Sequence, residues 1–359
     1  MLNQAIKSLK ANKLKTLLIY LSLTFSIIAI FLITAISSGI ISMYSNMLKS
    51  DGDIIITQAK ISDTFFSNVE LSLMQKIQQL PSIKEVSALI VGASPVENIP
   101  IVAVYGVSSN RFKNYTLTQG KYPKNDEILI GEGIFNQLNN KTDITLANKK
   151  FKISGVFQSE IGFENGGVVL TLHDAGAIFN KEASMLLANV HLDANIKDTI
   201  QQISALSLKI EAKSTTSFIE NYNQFKILQN SSNIISVVAF MMGLLGITSL
   251  MSITVNQRKN EFGIMRALGI SMKRIILSIM FEGFVVAFLS FLSAFFISHA
   301  ILFIIKNSEQ LQGYVNGEIT PTLALIVFIA SVTMTLLGSI LPAISAAKTD
   351  PITLIIKEQ

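Results

Sequence analysis

A chain of 359 residues that is half hydrophobic and only 15% charged departs from an ordinary soluble domain, in which roughly a quarter of residues carry charge, and must place much of itself in lipid. Its net charge of +5 does not mark a nucleic-acid binder, because the surplus gathers in short pieces beside apolar runs instead of covering a soluble surface. Cysteine is absent, which excludes disulfides, thiolate metal sites and cysteine catalysis.

Residues 1–16 carry Lys7, Lys10, Lys13 and Lys15, with Leu2, Ala5, Ile6 and Leu9 on one helical side, the pattern of a cytoplasmic amphipathic helix resting at the membrane surface. The apolar run at 17–44 exceeds a signal-peptide core of roughly 7 to 15 residues and lacks a small-x-small cleavage site, so it reads as a retained first span. Further spans are expected at 231–255, 275–305 and 322–347, each longer than the roughly 20 residues that cross about 30 Å of hydrocarbon. The pieces 1–16, 256–274 and 346–359 hold eleven basic and three acidic residues, whereas the segments on the other side hold eighteen basic and twenty acidic. This positive-inside bias places both termini in the cytoplasm, the tail 348–359 included, with 306–321 as a short outer loop. The expected fold is an α-helical membrane protein with four transmembrane helices and a large α+β extracytoplasmic domain, residues 45–230, inserted between the first and second.

Within that insert, strands are expected at Asp53–Thr57, Glu85–Val91, Ile99–Val107, Glu127–Ile130, Ile144–Leu146, Phe151–Phe157, Gly167–Leu172, Leu186–Leu192 and Leu208–Ala212. Helices are expected at Glu70–Leu80, Glu132–Leu138, Asp174–Phe179 and Ile196–Leu206, and a hairpin turn at Asn148-Lys149-Lys150. The pattern suggests two parts: flanking strand-helix-strand units near 50–110 and 186–230, and a β-rich middle at about 115–182. Residues 211–230 contain no glycine or proline and are expected to run helically into the second span.

The basic segment 256–274 contains Arg258, Lys259, Arg266, Lys273 and Arg274 against Glu261 alone. At about 100° per residue, Ile264, Met265, Leu268, Met272 and Ile275 share one side, Lys259, Arg266, Lys273 and Arg274 the other, and Glu261 lands on the apolar side, where it needs a partner. Gly263 and Gly269 argue for a short helix with a loose end. On residues alone, this is an amphipathic connector on lipid headgroups. In the third span, Glu282 stands where an ionised carboxylate is costly; it either snorkels, pairs with Arg274, or ties the span to the basic segment or the N-terminal helix. Small residues recur every fourth position at Ser290, Ala294 and Ser298 and at Thr335, Ser339 and Ala343, allowing close helix approach.

Catalytic patterns are missing. There is no G-x-x-x-x-G-K-[ST] phosphate loop and no G-x-S-x-G elbow. His173-Asp174 and His191-x-Asp193 lack a third ligand and read as surface residues. The chain is therefore expected to be non-catalytic, with no cofactor or metal bound directly.

The stretch E-F-G-I-M-R-A-L-G-I-S at 261–271, followed by K-R-I and then Glu282, resembles the segment between the second and third spans of FtsX/MacB-type ABC transporter permeases. So does the leading A-I-K-S-L-K-A-N-K-L-K-T-L-L. In order, L-T-x-G-K-Y-P, E-I-L-I-G, F-K-I-S-G-V-F and G-G-V-V-L-T-L resemble the MacB-like extracytoplasmic core domain. The ending resembles the family's closing G-x-x-x-P-A-x-x-A-A-x-x-x-P, here Gly338, Pro342, Ala343, Ala346, Ala347 and Pro351, with Asp350 before the last proline. Asn260 and Phe262 stand where members more often show arginine and isoleucine. The resemblance implies that Arg258, Glu261, Phe262, Gly263, Met265, Arg266 and Gly269 form a coupling helix gripped by a separate ATPase subunit, which supplies the ATP and magnesium. It further implies an inner-membrane dimer with a second copy or paralogue, an extracytoplasmic partner such as an adaptor, and export or extraction of a substrate. Lipoprotein release and control of cell-wall hydrolases are alternatives within the family, and a membrane-anchored sensor or binding module is the alternative outside it.

Overall fold

A computed structural model describes residues 13–61, 63–138, 141–159, 162–308 and 317–348. Most of the stretch 1–16, residues 309–316 of the short outer loop, and Asp350 and Pro351 lie outside the described residues. The chain divides into two compact units, one from Met1–Ser37, Asn230–Ile304 and Gly317–Gln359, the other from Ser38–Gln229 and Ile305–Asn316.

The first unit is built on four helices long and apolar enough to cross a membrane: α1 (Lys13–Asp51), α8 (Asn223–Gln257), α10 (Met272–Lys306) and α11 (Pro321–Ala347). Ser290, Ala294, Ser298, Thr335, Ser339 and Ala343 are all buried. Their small side chains let neighbours approach, and three of the four hydroxyls find backbone acceptors without water: Thr335 donates to Ser331 O at 2.9 Å, Ser339 to Thr335 O at 2.7 Å and Ser290 to Tyr20 O at 3.2 Å. Tyr20 in turn donates to Ser293 Oγ at 2.6 Å, joining α1 to α10. An especially tight approach is at Gly338, where a Cβ would overlap Cγ2 of Ile247 on α8.

Two of these helices are longer than their apolar runs. The first continues to Asp51 because Met47 and Leu48 bury themselves in a core of the second unit. The expected helix over 211–230 is corrected: Ile210–Ser214 is a strand (β10), the short α7 (Thr215–Asn221) follows, and α8 starts at Asn223. The reason is local. Glu211 pairs with Thr57 in the ladder, Ser214 Oγ caps α7 by accepting from Ser217 N, and Tyr222 at ψ 118° interrupts the helix. Tyr222 then stacks between Phe218 and Tyr44, with Phe225 edge-on.

The second unit is one ten-stranded sheet: β1 (Ile54–Gln58), β2 (Ile83–Val96), β3 (Ile99–Val107), β4 (Thr116–Gly120), β5 (Glu127–Gly131), β6 (Asp143–Leu146), β7 (Lys149–Gln158), β8 (Gly167–Thr171), β9 (Met185–Val190) and β10. The order is β10-β1-β9-β2-β3-β8-β5-β7-β4, with β6 on β2 and β7. The expected two parts are thus one continuous sheet, joined where β3 runs parallel to β8. Both faces are apolar with a period of two: Ile55, Leu89, Tyr105, Leu129, Val169 and Leu187 form one core. On the opposite face Ile90, Val104, Ile130 and Val168 form a second core, and Ile54, Ile56, Ala88 and Leu186 a third. Helices α2 (Ser72–Gln78) and α6 (Ile196–Ala205) cover the third; α3 (Glu132–Gln137) and α5 (Leu172–Phe179) cover the second; the short α4 (Gly162–Asn165) precedes β8.

Three local features differ from expectation. The hairpin turn is Ala147-Asn148, because Leu146 pairs with Lys149 and both turn residues have positive φ, 48° and 65°, the geometry of a two-residue type I′ connection. The L-T-x-G segment, which is not among the expected strands, is the strand β4, whose exposed edge position leaves it without the apolar run that marks its neighbours. Asp174 is buried, not a surface residue: it accepts from Asp126 N, Thr171 and Lys149. Burial alone would raise its carboxyl, but these donors, Lys149 first, hold it below the usual range.

Candidate functional site

The basic segment folds as a helix held between two turns. Arg258, just after α8, leaves the helical region at φ −97° and ψ 12°, and α9 (Lys259–Ala267) begins at once. Its end is fixed by Gly269 at φ 82°. Gly269 N donates to Arg266 O and Ile270 N to Met265 O, each at 3.0 Å, the paired bonds of a Schellman stop. Glycine suits this position because a Cβ costs energy in the left-handed region.

Phe262 anchors α9. It is 3% exposed and joins Val255, Ile275, Ile279, Ala343, Ala346 and Ala347 in the core of the first unit. Met265 and Ile270 pack partly against the same cluster, and Gly263 is buried beside Phe262. Gly338 and Pro342 of the closing motif are buried in α11. Pro342 lacks the N–H that Gly338 O would accept, so the last turns are shaped by packing more than by the helical ladder.

Arg258 is the electrostatic centre. Its Nη1 donates to Glu282 Oε2 at 2.9 Å and its Nε to Glu261 Oε2 at 3.0 Å, while its Cζ lies 5.0 Å from the Phe262 ring centroid. The side chains of Arg258 and Glu282 are 14% and 9% exposed, that of Glu261 60%. Burial works against the guanidinium's charge, but Glu282 and then Glu261 more than restore it and raise its pKa above the ordinary value. One side chain thus ties together the end of α8, the first turn of α9 and the third turn of α10. Arg258, and not Arg274, is the partner the structure gives Glu282.

The expected facing of the segment is corrected. Helical periodicity puts Ile264 and Leu268 on one side with Met265, Met272 and Ile275, but they are 63% and 77% exposed while Ile275 is buried. The Gly269 stop resets the helical phase, so residues on either side of it do not share a face. Glu261 does fall beside Ile264, but on the outward side. Arg266, expected on the polar side, is half-buried and donates from Nη1 to Ile270 O at 3.4 Å. The arrangement presents Glu261, Ile264 and Leu268 outward on a short helix whose base is pinned by an ion pair and an aromatic ring. No group of three metal-ligating side chains occurs among the described residues. Arg111, which no local sequence pattern singles out, forms a buried pair with Glu164 at 3.2 Å, with Tyr115 bonded to both.

Comparison with known proteins gives two family matches: the FtsX-like permease C-terminal region over residues 233–351 and the MacB-like periplasmic core domain over residues 16–206. Among curated proteins, the macrolide export ATP-binding/permease protein MacB of Wolinella succinogenes is 22% identical over 404 residues, covering 99% of this chain and 60% of that protein. The present chain therefore spans less than two thirds of that relative. A Staphylococcus epidermidis protein named for hemin transport, the permease HrtB, is 22% identical over 68% of each chain. Among solved structures, the periplasmic region of MacB from Actinobacillus actinomycetemcomitans matches 47% of this chain and 92% of its own, at 14% identity and a TM-score of 0.38.

Proposed function

Because this chain belongs to the FtsX/MacB-like permease family, with a MacB-like periplasmic core domain between its first and second membrane helices, we propose that it is the membrane subunit of an ABC transporter driven by ATP hydrolysis on a partner ATPase. Helix α9 is the part that partner grips, and movement there passes to the extracytoplasmic domain for export or extraction of a substrate. The subunit works as a dimer in the inner membrane with both termini in the cytoplasm. The chain itself contributes no nucleotide chemistry: its 359 residues contain no phosphate loop. The observation that carries the proposal is the exposed edge of α9, two large apolar side chains and a carboxylate, on a helix whose base is rigidly held. Exposed apolar side chains beside a carboxylate fit a protein contact, since the charge is ill suited to burial in lipid.

Two experiments test it. Glu261→Ala and Leu268→Ser should each leave the chain folded and inserted, since both side chains are exposed, but weaken co-purification of the ATPase. For Glu261 the loss is one or two factors of ten, corresponding to a charge-assisted contact of about 1.5–3 kcal/mol. Normal ATPase association and transport in both variants would return α9 to the role of a lipid-resting connector. For topology, reporter fusions at Lys124 and Arg266 are expected in opposite compartments, and the same compartment for both would overturn the arrangement.

A further inference from the structure

A groove of about 210 Å³ opens at the basic end of the first unit, lined by Ser252, Ile253, Asn256 and Lys259 from the α8–α9 junction and by Pro342 and Ser345 of α11. Its chemistry divides in two. The polar part carries one cation and no acid. Arg258, the neighbour of that cation, binds Glu261 and Glu282, whereas neither Lys259 nor the Asn256 amide has a side-chain partner among the described residues. Beyond the groove, Met242 and Leu245 of α8 and Leu337, Leu341 and Ile344 of α11 are exposed apolar side chains on helices long and apolar enough to cross a membrane.

We propose that this groove is a binding site for the headgroup of an anionic phospholipid. The phosphate meets the Lys259 ammonium and the Asn256 amide, and the acyl chains lie along the exposed apolar side chains of α8 and α11. The charge fits: an ammonium without a carboxylate partner at the membrane surface attracts an anion, and the amide N–H adds a further donor beside those of the ammonium. The position fits as well. Lys259 follows the last residue of a membrane-crossing helix by two positions, and Ser345 precedes the end of another by two, so the groove lies at headgroup depth. A soluble anion would satisfy the polar half alone; only an amphiphile uses both. The bound lipid would brace the base of α9 at Lys259, the residue next to the Arg258 that Glu282 holds. This site does not depend on the ATPase reading.

The full chain, purified in a neutral detergent, can be titrated with phosphatidylglycerol, phosphatidylcholine or inorganic phosphate, with lipid retention followed by native mass spectrometry and stability by thermal unfolding. Phosphatidylglycerol should be retained and should raise the unfolding temperature, phosphatidylcholine should do neither, and phosphate should not reproduce the effect. Lys259→Gln should weaken phosphatidylglycerol retention about tenfold, the scale of one charge-assisted contact, whereas Lys273→Gln, exposed on the first turn of α10, should not change it. Equal retention of the two lipids, an equal loss in both variants, an unaffected Lys259→Gln, or full protection by phosphate alone would each overturn the proposal. Should Lys259→Gln fail to fold, Asn256→Leu is expected to reduce retention in its place, and undiminished retention there would overturn the proposal equally.

Discussion

Glu282→Ala is expected to destabilise the membrane-crossing unit by about 3–5 kcal/mol, the range for breaking a buried ion pair by removing one partner. The loss should exceed that of any exposed change in the same segment. The cause is what remains: Arg258 is largely buried, its Nη1 would lose the acceptor at 2.9 Å, and Glu261, itself mostly exposed, would be left to hold the charge. Exposed pairs of that kind contribute about 0–1 kcal/mol. Removing both charges together is a different experiment. Arg258→Met with Glu282→Met replaces the pair by apolar side chains of similar length and should recover most of the lost stability, because two desolvation costs disappear with the attraction. Unfolding of the purified chain in detergent measures the series. A single mutant within about 1 kcal/mol of the parent, or a double mutant as damaged as the single, would mean that Arg258 does not hold α8, α9 and α10 together in the way the geometry indicates.

This pair also marks how far the sequence can be read. A carboxylate inside an apolar run announces that it needs a partner, and Glu282 is legible to that extent. Its partner is not. Arg258 and Glu282 are 24 residues apart across the Gly269 stop, and the angle at which the chain resumes after a left-handed residue is set by packing, not by the local pattern. The same stop defeats the helical facing of Ile264 and Leu268, since a period of 3.6 carries phase only through unbroken helix. In the extracytoplasmic unit β1, β2, β5 and β9 are legible as short apolar runs, whose successive residues enter cores on opposite faces of the sheet, but β4 gives no such run because a strand with an exposed edge has little apolar burial. That one sheet joins the two halves is also hidden: the parallel β3–β8 pairing links Ala103 to Gly167, and no local signal spans 64 residues. The four membrane helices are plain, because a run of about 20 apolar residues is too long for a strand and too apolar for a surface helix, and fits the hydrocarbon thickness as a helix. Their polar extensions are not, because Met47, Leu48 and Tyr222 are helical or bent for tertiary reasons.

Gly338→Leu is the second change expected to be severe, and its neighbour supplies the control. A Cβ at Gly338 would overlap Cγ2 of Ile247 and lie 3.1 Å from Oγ1 of Thr248, so even one carbon cannot enter without moving α8 away from α11. Ile247 is fully buried, and Pro342 one turn later already weakens the helical ladder that would resist bending. Overpacking a close-packed site costs about 1–3 kcal/mol, sometimes more, and a leucine adds three carbons beyond the first. Leu337, by contrast, is half exposed toward the apolar surroundings, so Leu337→Ala should be tolerated within about 0.5 kcal/mol. If the approach of the two helices is the cause, Ile247→Ala in the same chain as Gly338→Leu should restore part of the stability although it is harmful alone, a coupling of opposite sign to simple addition. Protease resistance of the membrane-embedded chain, compared across the four variants, measures this directly. Gly338→Leu as resistant as the parent, or no rescue by Ile247→Ala, would show that the second and fourth helices do not meet at this glycine.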